Sequence, residues 1–278
     1  MKVTVLGSGG GEAVPALWCN CPTCKAAREK GGRNVRSLSQ TLVGDDLLFD
    51  IAWTAWHHVA SGKLPLYNIK TLLVTHKHSD HFNPTLFDQR GCCYAHNYTP
   101  TVEVCGSSDA KRVYDLMDAE YKFEPEIKEG IKFRVVRPLE KFRSGKYEIT
   151  VLPARHAPNE QALNYIVDDG EKRLLYLIDS GYPTDEYIAF LSTQKPVDLV
   201  LADVTMGFMK DHSYDYHMTI GENAQLKKVL EKSGFFKPTA KWICTHFTHN
   251  SYHTYDECEA ECTRLGMIAA YDGLTIEL

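Results

Sequence analysis

Three histidines and a carboxylate stand within six positions in His76-Lys77-His78-Ser79-Asp80-His81, directly after the run Leu72-Leu73-Val74-Thr75. Apolar, β-branched residues of this kind predict a buried strand, which leaves the polar cluster on the loop where the strand ends. Imidazole and carboxylate are the side chains that borderline divalent cations prefer. In an extended segment His76 and His78 share a face and could grip one ion. Asp80 and His81 follow the turn and suit a second ion nearby. The alternative is a solvated loop that happens to be rich in histidine.

A second group of ligand-type residues lies earlier. Cys19, Cys21 and Cys24 put three thiols within six residues of a polar segment, Trp18–Arg36, that shows little apolar periodicity. Such a loop would gain order from a tetrahedral zinc, for which a fourth ligand is required. His249 suits that place because it lies three residues beyond His246, so one histidine could serve each site. Reduced thiols in a flexible loop are the alternative. Cys92, Cys93, Cys105, Cys244, Cys258 and Cys262 read as core or incidental thiols, and the odd total of nine cysteines argues against a disulfide framework.

The elements that must position these residues follow from pattern. Lys2–Leu6 predicts a strand entering the glycine turn Gly7-Ser8-Gly9-Gly10-Gly11, which lacks both the Walker lysine and the dinucleotide spacing and reads as backbone punctuation. Thr41–Asp50 predicts a hairpin about Gly44-Asp45. Further strands are expected at Ile69–Thr75, Thr101–Cys105, Lys132–Val136, Glu148–Leu152, Val197–Ala202 and Trp242–Thr245. Asn164–Asp168 and Arg173–Ile178 flank Asp169-Gly170, a hairpin signal. Ala52–Ser61, Asp109–Glu120, Thr184–Thr193, Thr219–Lys232 and Asp256–Leu265 predict helices, with Pro84–Arg90 able to begin a short one. Three more ligand-type residues fall at the ends of predicted strands: His156, Asp179 and His246. Asp50 also ends a strand and is expected to support the site rather than ligate.

Strands in runs with helices interspersed fit an α/β (α+β) chain in which two mixed sheets pack face to face with helices outside, an αββα sandwich of four layers. No linker or repeat divides residues 1–278, so a single domain is expected, with a cysteine-rich insertion at about 17–38. A net charge of −5 and the lack of a Lys/Arg block argue against a polynucleotide partner. No apolar run is long enough to span a bilayer and the start has no signal-peptide pattern, so a cytoplasmic protein is expected. A homodimer is compatible with the sequence.

The motif His76-x-His78-x-Asp80-His81 after a strand resembles the signature of the metallo-β-lactamase fold superfamily, made mostly of hydrolases with one or two metals at the strand ends. The resemblance implies that His76, His78 and His156 hold one divalent ion, zinc or manganese. It further implies that Asp80, His81 and His246 hold a second and that Asp179 bridges the two. Tyr216-His217-Met218-Thr219 resembles the His-x-Ser/Thr segment of superfamily phosphodiesterases, whose histidine serves catalysis; Asp80 is expected to serve it as well, and His212 and Asp215 lie close to His217. The Cys19-x-Cys21-x-x-Cys24 loop after the glycine turn, with His246 and His249 near the end, is similar to the phosphoribosyl cyclic phosphodiesterase family of phosphonate degradation, which implies a structural zinc on Cys19, Cys21, Cys24 and His249. Nothing specific matches between His96 and Ser144. The implied activity is hydrolysis of a small or cyclic phosphate ester. A ribonuclease Z-like nuclease, a lactone or thioester hydrolase, and a non-catalytic carrier of the same fold are the alternatives.

Overall fold

The computed structural model describes residues 1–91, 93–209, 215–251 and 253–278. Among these residues fourteen strands form two seven-stranded sheets. The first contains β1 (Lys2–Gly7), β2 (Gln40–Val43), β3 (Leu47–Phe49), β4 (Thr71–Leu73), β5 (Val102–Gly106) and β6 (Ile131–Val135). The second contains β7 (Lys141–Ser144), β8 (Tyr147–Pro153), β9 (Leu163–Asp168), β10 (Arg173–Leu177), β11 (Val197–Asp203), β12 (Phe236–Thr245) and β13 (Ile268–Ala269). The chain then returns to the first sheet, where β14 (Leu274–Glu277) pairs with β1. Strands β3 to β6 run parallel, as do β10 to β13, so their carboxyl ends are presented together within each sheet.

The inner faces of the sheets meet in an apolar layer. Phe49 of β3 stacks on Tyr176 of β10 with ring centroids 3.9 Å apart, and Val5, Leu73, Val151 and Leu201 pack around them. Each such side chain, fully buried, contributes about 1.5–3 kcal/mol. The helices are α1 (Pro22–Lys30), α2 (Ala55–Ala60), α3 (Ser108–Tyr121), α4 (Pro125–Gly130), α5 (Asp185–Ser192), α6 (Ile220–Lys232) and α7 (Tyr255–Arg264). Ala110 and Tyr114 of α3 and Ile127 of α4 cover the outer face of the first sheet. Leu191 of α5, Leu226 and Leu230 of α6, and Cys258 and Cys262 of α7 cover that of the second. The four-layer αββα sandwich expected from the strand order is therefore the observed fold. Among the described residues no helix is long and apolar enough to cross a membrane.

One local outcome differs from the sequence expectation. The cysteine segment is not a featureless loop: it contains α1, which Pro22 starts at the first helical position and Cys21 caps by accepting the Cys24 N–H on its sulfur. Its buried side, Thr23, Cys24 and Ala27, is too short and too little apolar to show as a periodic stripe. On α6 the buried face includes Asn223 beside Ile220, Leu226 and Leu230. That amide is fully paired, donating to Asp203 O at 2.7 Å and accepting from Trp242 Nε1 at 3.0 Å, so it pins the end of β11.

Candidate metal centre

The strand ends turn their side chains inward by an uncommon backbone conformation. Asp50, Asp179 and His246, each just past a strand, adopt φ values of 61°, 53° and 65°. Positive φ is costly for residues with a Cβ and persists where the surroundings hold it, a pattern concentrated at functional sites. Beyond Asp179 the chain needs glycine, because a Cβ on Gly181 would lie 1.7 Å from Asp215 O. That close approach brings the segment carrying His217 against the end of β10.

Asp179 is the hub. Its Oδ2 lies 3.1 Å from His81 Nε2, 3.3 Å from His76 Nε2, and 3.6 Å from both His156 Nε2 and His246 Nε2. On one side His78 Nδ1 faces His156 Nε2 at 3.2 Å. On the other, His81 Nε2 lies 3.3 Å from Asp80 Oδ2 and 3.2 Å from His246 Nε2. All seven residues expected from the resemblance thus converge, three on one side of Asp179 and three on the other.

Hydrogen bonds behind the rings decide which nitrogens face inward. The Thr75 hydroxyl donates to Asp50, 2.9 Å from Oδ2, and so accepts from His76 Nδ1 at 3.0 Å. Asp50 Oδ2 also accepts from His81 Nδ1 at 2.7 Å. A parallel arrangement serves the far strand: the Thr205 hydroxyl donates to Asp203 Oδ2 at 2.9 Å and accepts from His246 Nδ1 at 2.6 Å. With Nδ1 protonated in each case, His76, His81 and His246 turn Nε2 lone pairs toward Asp179 and toward one another. Lone pairs this close repel unless a proton or cation lies between them. His76 Nε2 is buried without a hydrogen-bond partner, as is Asp179 Oδ1. Orphaned donors of this type, arranged about a carboxylate, fit divalent cations.

Charge follows the same pattern. Burial holds His76 well below the ordinary imidazole pKa, and neighbouring His81 adds to it. Burial pulls His81 the same way, but Asp80 and Asp50 outweigh it and keep that ring well above the ordinary value. Asp179 is opposed by burial too, yet His246 and His81 hold its carboxyl well below the usual range. A cation at His81 Nε2 would therefore replace a proton there.

His217 reaches the same cluster. Its Nδ1 lies 3.2 Å from Asp203 Oδ2 and 3.2 Å from Asp179 Oδ1. Burial disfavours the charged ring, but Asp203 and then Asp179 outweigh it, raising His217 to about 9. Asp215 is exposed and faces Arg155 Nη2 at 3.7 Å; His212 lies outside the described residues. Asp203 and Glu160 were not anticipated as part of the site. Asp203 ends the apolar strand β11, the same signal that singled out Asp179 and His246, whereas Glu160 sits in a polar turn with no pattern to mark it.

The cysteine group also assembles. Cys19 Sγ and Cys21 Sγ lie 3.4 and 3.3 Å from His249 Nδ1, and ligand atoms of Cys19, Cys21, Cys24 and His249 all fall within 4.8 Å of one another. His249 Nε2 points instead to Glu12 Oε1 at 3.6 Å. Burial raises the Cys21 thiol, but hydrogen bonds from the Cys24 N–H, His249 and the other thiols lower it to about 6. Burial pushes Cys24 up to about 11.

The threonine relays carry a direct test. Thr205→Val keeps the side-chain shape and removes the hydroxyl between Asp203 and His246. Competition with a chelator is expected to show metal held about 10–100-fold more weakly; unchanged affinity would remove the relay from the account.

Residues 47–247 match the sequence model of the beta-lactamase superfamily domain. No curated protein sequence matches the chain. Among solved structures, zinc-bound PqqB from Methylobacterium extorquens is similar with a TM-score of 0.75 and 18% identity, covering 100% of both chains. A diphosphatase of the PhnP family gives 0.71 at 21% identity, covering 100% of this chain and 97% of the other. The short form of human tRNase Z gives 0.70 at 16% identity, covering 100% and 99%. At these identities the likeness is one of fold.

Proposed function

The chain belongs to the beta-lactamase superfamily as a hydrolase of the metallo-β-lactamase fold, and from that premise we propose that it is a dinuclear, metal-dependent phosphodiesterase acting on a small or cyclic phosphate ester. His76, His78 and His156 would hold one cation, Asp80, His81 and His246 the other, with Asp179 shared. When bound, two divalent ions, zinc or manganese, lower the pKa of a water and clamp the attacked group. Everything else falls to the chain. Asp80 would accept a hydrogen bond from the attacking water. His217, kept charged by Asp203 and Asp179, offers a proton to a departing alkoxide. Lys77 and Arg155, next to His78 and His156 in sequence, carry positive charge at the rim; Arg155 Nη1 is steadied by donating to Tyr182 O at 2.9 Å. Cys19, Cys21, Cys24 and His249 would hold a separate structural zinc that fixes the segment bearing them.

The observation that carries the reading is His217, whose Nδ1 stands 3.2 Å from the shared carboxylate and 3.2 Å from Asp203 Oδ2. A carrier of the same fold has no use for a proton donor at that position. A net charge of −5 favours a small substrate over a polynucleotide, and a single domain working in the cytoplasm belongs to the same proposal.

A test pairs metal analysis with turnover of a chromogenic phosphodiester, cyclic nucleotides, precursor tRNA, lactones and thioesters. Hydrolysis of the small diesters is expected. Preference for precursor tRNA would point to a nuclease, and bound metal without turnover of any substrate to a carrier. His217→Ala should slow a dialkyl or cyclic ester by about 10²–10⁴-fold and a p-nitrophenyl ester much less, because a good leaving group needs no proton. Equal losses on both would deny His217 the role of acid.

A further inference from the structure

Glu160 lies in the turn after His156, and its carboxylate side chain is fully buried although the ring beside it is 42% exposed. That ring is His78, whose Nε2 stands 2.9 Å from Glu160 Oε1. The other oxygen, Oε2, accepts the Lys77 N–H at 3.2 Å and lies 3.9 Å from Lys77 Nζ. Across the ring, His78 Nδ1 faces His156 Nε2. The two nitrogens of an imidazole point apart, so a group at Nε2 cannot share an ion held at Nδ1. Glu160 Oε1 is buried and makes no hydrogen bond to the rest of the described protein; an ionised carboxylate only accepts, so its approach to 2.9 Å favours the tautomer with the hydrogen on Nε2 and the lone pair on Nδ1. The Asp50–Thr75 and Asp203–Thr205 pairs set His76, His81 and His246, and neither contacts His78. With its ring partly in solvent, His78 would otherwise be free to turn over.

We propose that Glu160 is a positioning residue that fixes His78 as an Nδ1 donor toward the first cation. The proposal rests on the metal-centre reading and adds to it a third carboxylate behind the rings, reached through a different nitrogen. Removing a carboxylate in this position typically costs about 10–100-fold in metal affinity.

The experiment measures metal affinity by chelator competition in the parent chain, Glu160→Gln and Glu160→Ala, with ¹⁵N NMR of the histidine rings in the zinc-loaded parent. The Ala variant should hold one of the two active-site cations about 10–100-fold more weakly while the other is retained. The Gln variant keeps the size of the side chain and an acceptor for the Lys77 N–H but loses the charge, so a smaller loss is expected. Parental affinity in Gln would mean that Glu160 merely secures the turn, and would overturn the proposal. A His78 ring coordinated through Nε2 in the loaded parent would do the same. A parent that binds no active-site cation would instead overturn the metal centre itself.

Discussion

Asp179→Asn is expected to abolish hydrolysis while leaving the fold intact. The substitution preserves shape, so the close of β10 and the approach of Gly181 to Asp215 should survive. What disappears is the one negative charge that four inward-facing imidazoles share. Without it, two cations held side by side would repel one another with nothing between them. The chain should then retain at most one active-site ion. Loss of a metal contribution of several kcal/mol to the barrier corresponds to roughly 10³-fold or more in rate. Metal content by elemental analysis and turnover, with circular dichroism to check folding, measure the outcome. Two tightly held ions and near-parental turnover would refute the arrangement.

Cys21→Ser should release one zinc per chain and loosen residues 12–35 while leaving the active-site pair in place. Serine is itself a good helix N-cap, so α1 keeps its start and the effect isolates the metal. Cys21 is the thiol held nearest to a thiolate at neutral pH, at about 6, and a hydroxyl is a poor replacement as a zinc ligand. Since thiolate–zinc binding orders an otherwise weakly cored segment, stability falls too, lowering the melting midpoint by about 2–4 °C for each kcal/mol lost. Limited proteolysis should cut first within this segment. Activity should fall far less than in Asp179→Asn, because Gly10 N–H still donates to Phe247 O and holds the end of β12 near His246. Unchanged zinc content would remove the structural site.

Much of the centre was legible because its parts share one local signature: an apolar strand ending in a ligand-type residue. His76, His156, Asp179 and His246 all carry it, and the spacing of His78, Asp80 and His81 extends it. Asp203 carries it as well, at the close of the apolar strand β11. Glu160 had no such mark, since its turn is polar and its burial arises only when the 154–162 segment folds over His78. The short strands β7, β13 and β14 were missed for a related reason: their pairing partners are distant in the chain, and two to four residues hold too little pattern to show a period.

By itself, then, the amino-acid order determined where strands stop and which side chains with lone pairs stand at those stops, because alternation and β-branching are local properties. Only the tertiary structure decided that the stops form one rim, that Asp179 faces four rings at once, and which nitrogen each ring presents. Those outcomes depend on sheet order, on three residues forced into positive φ, and on carboxylates and hydroxyls brought from far along the chain. No local period encodes them.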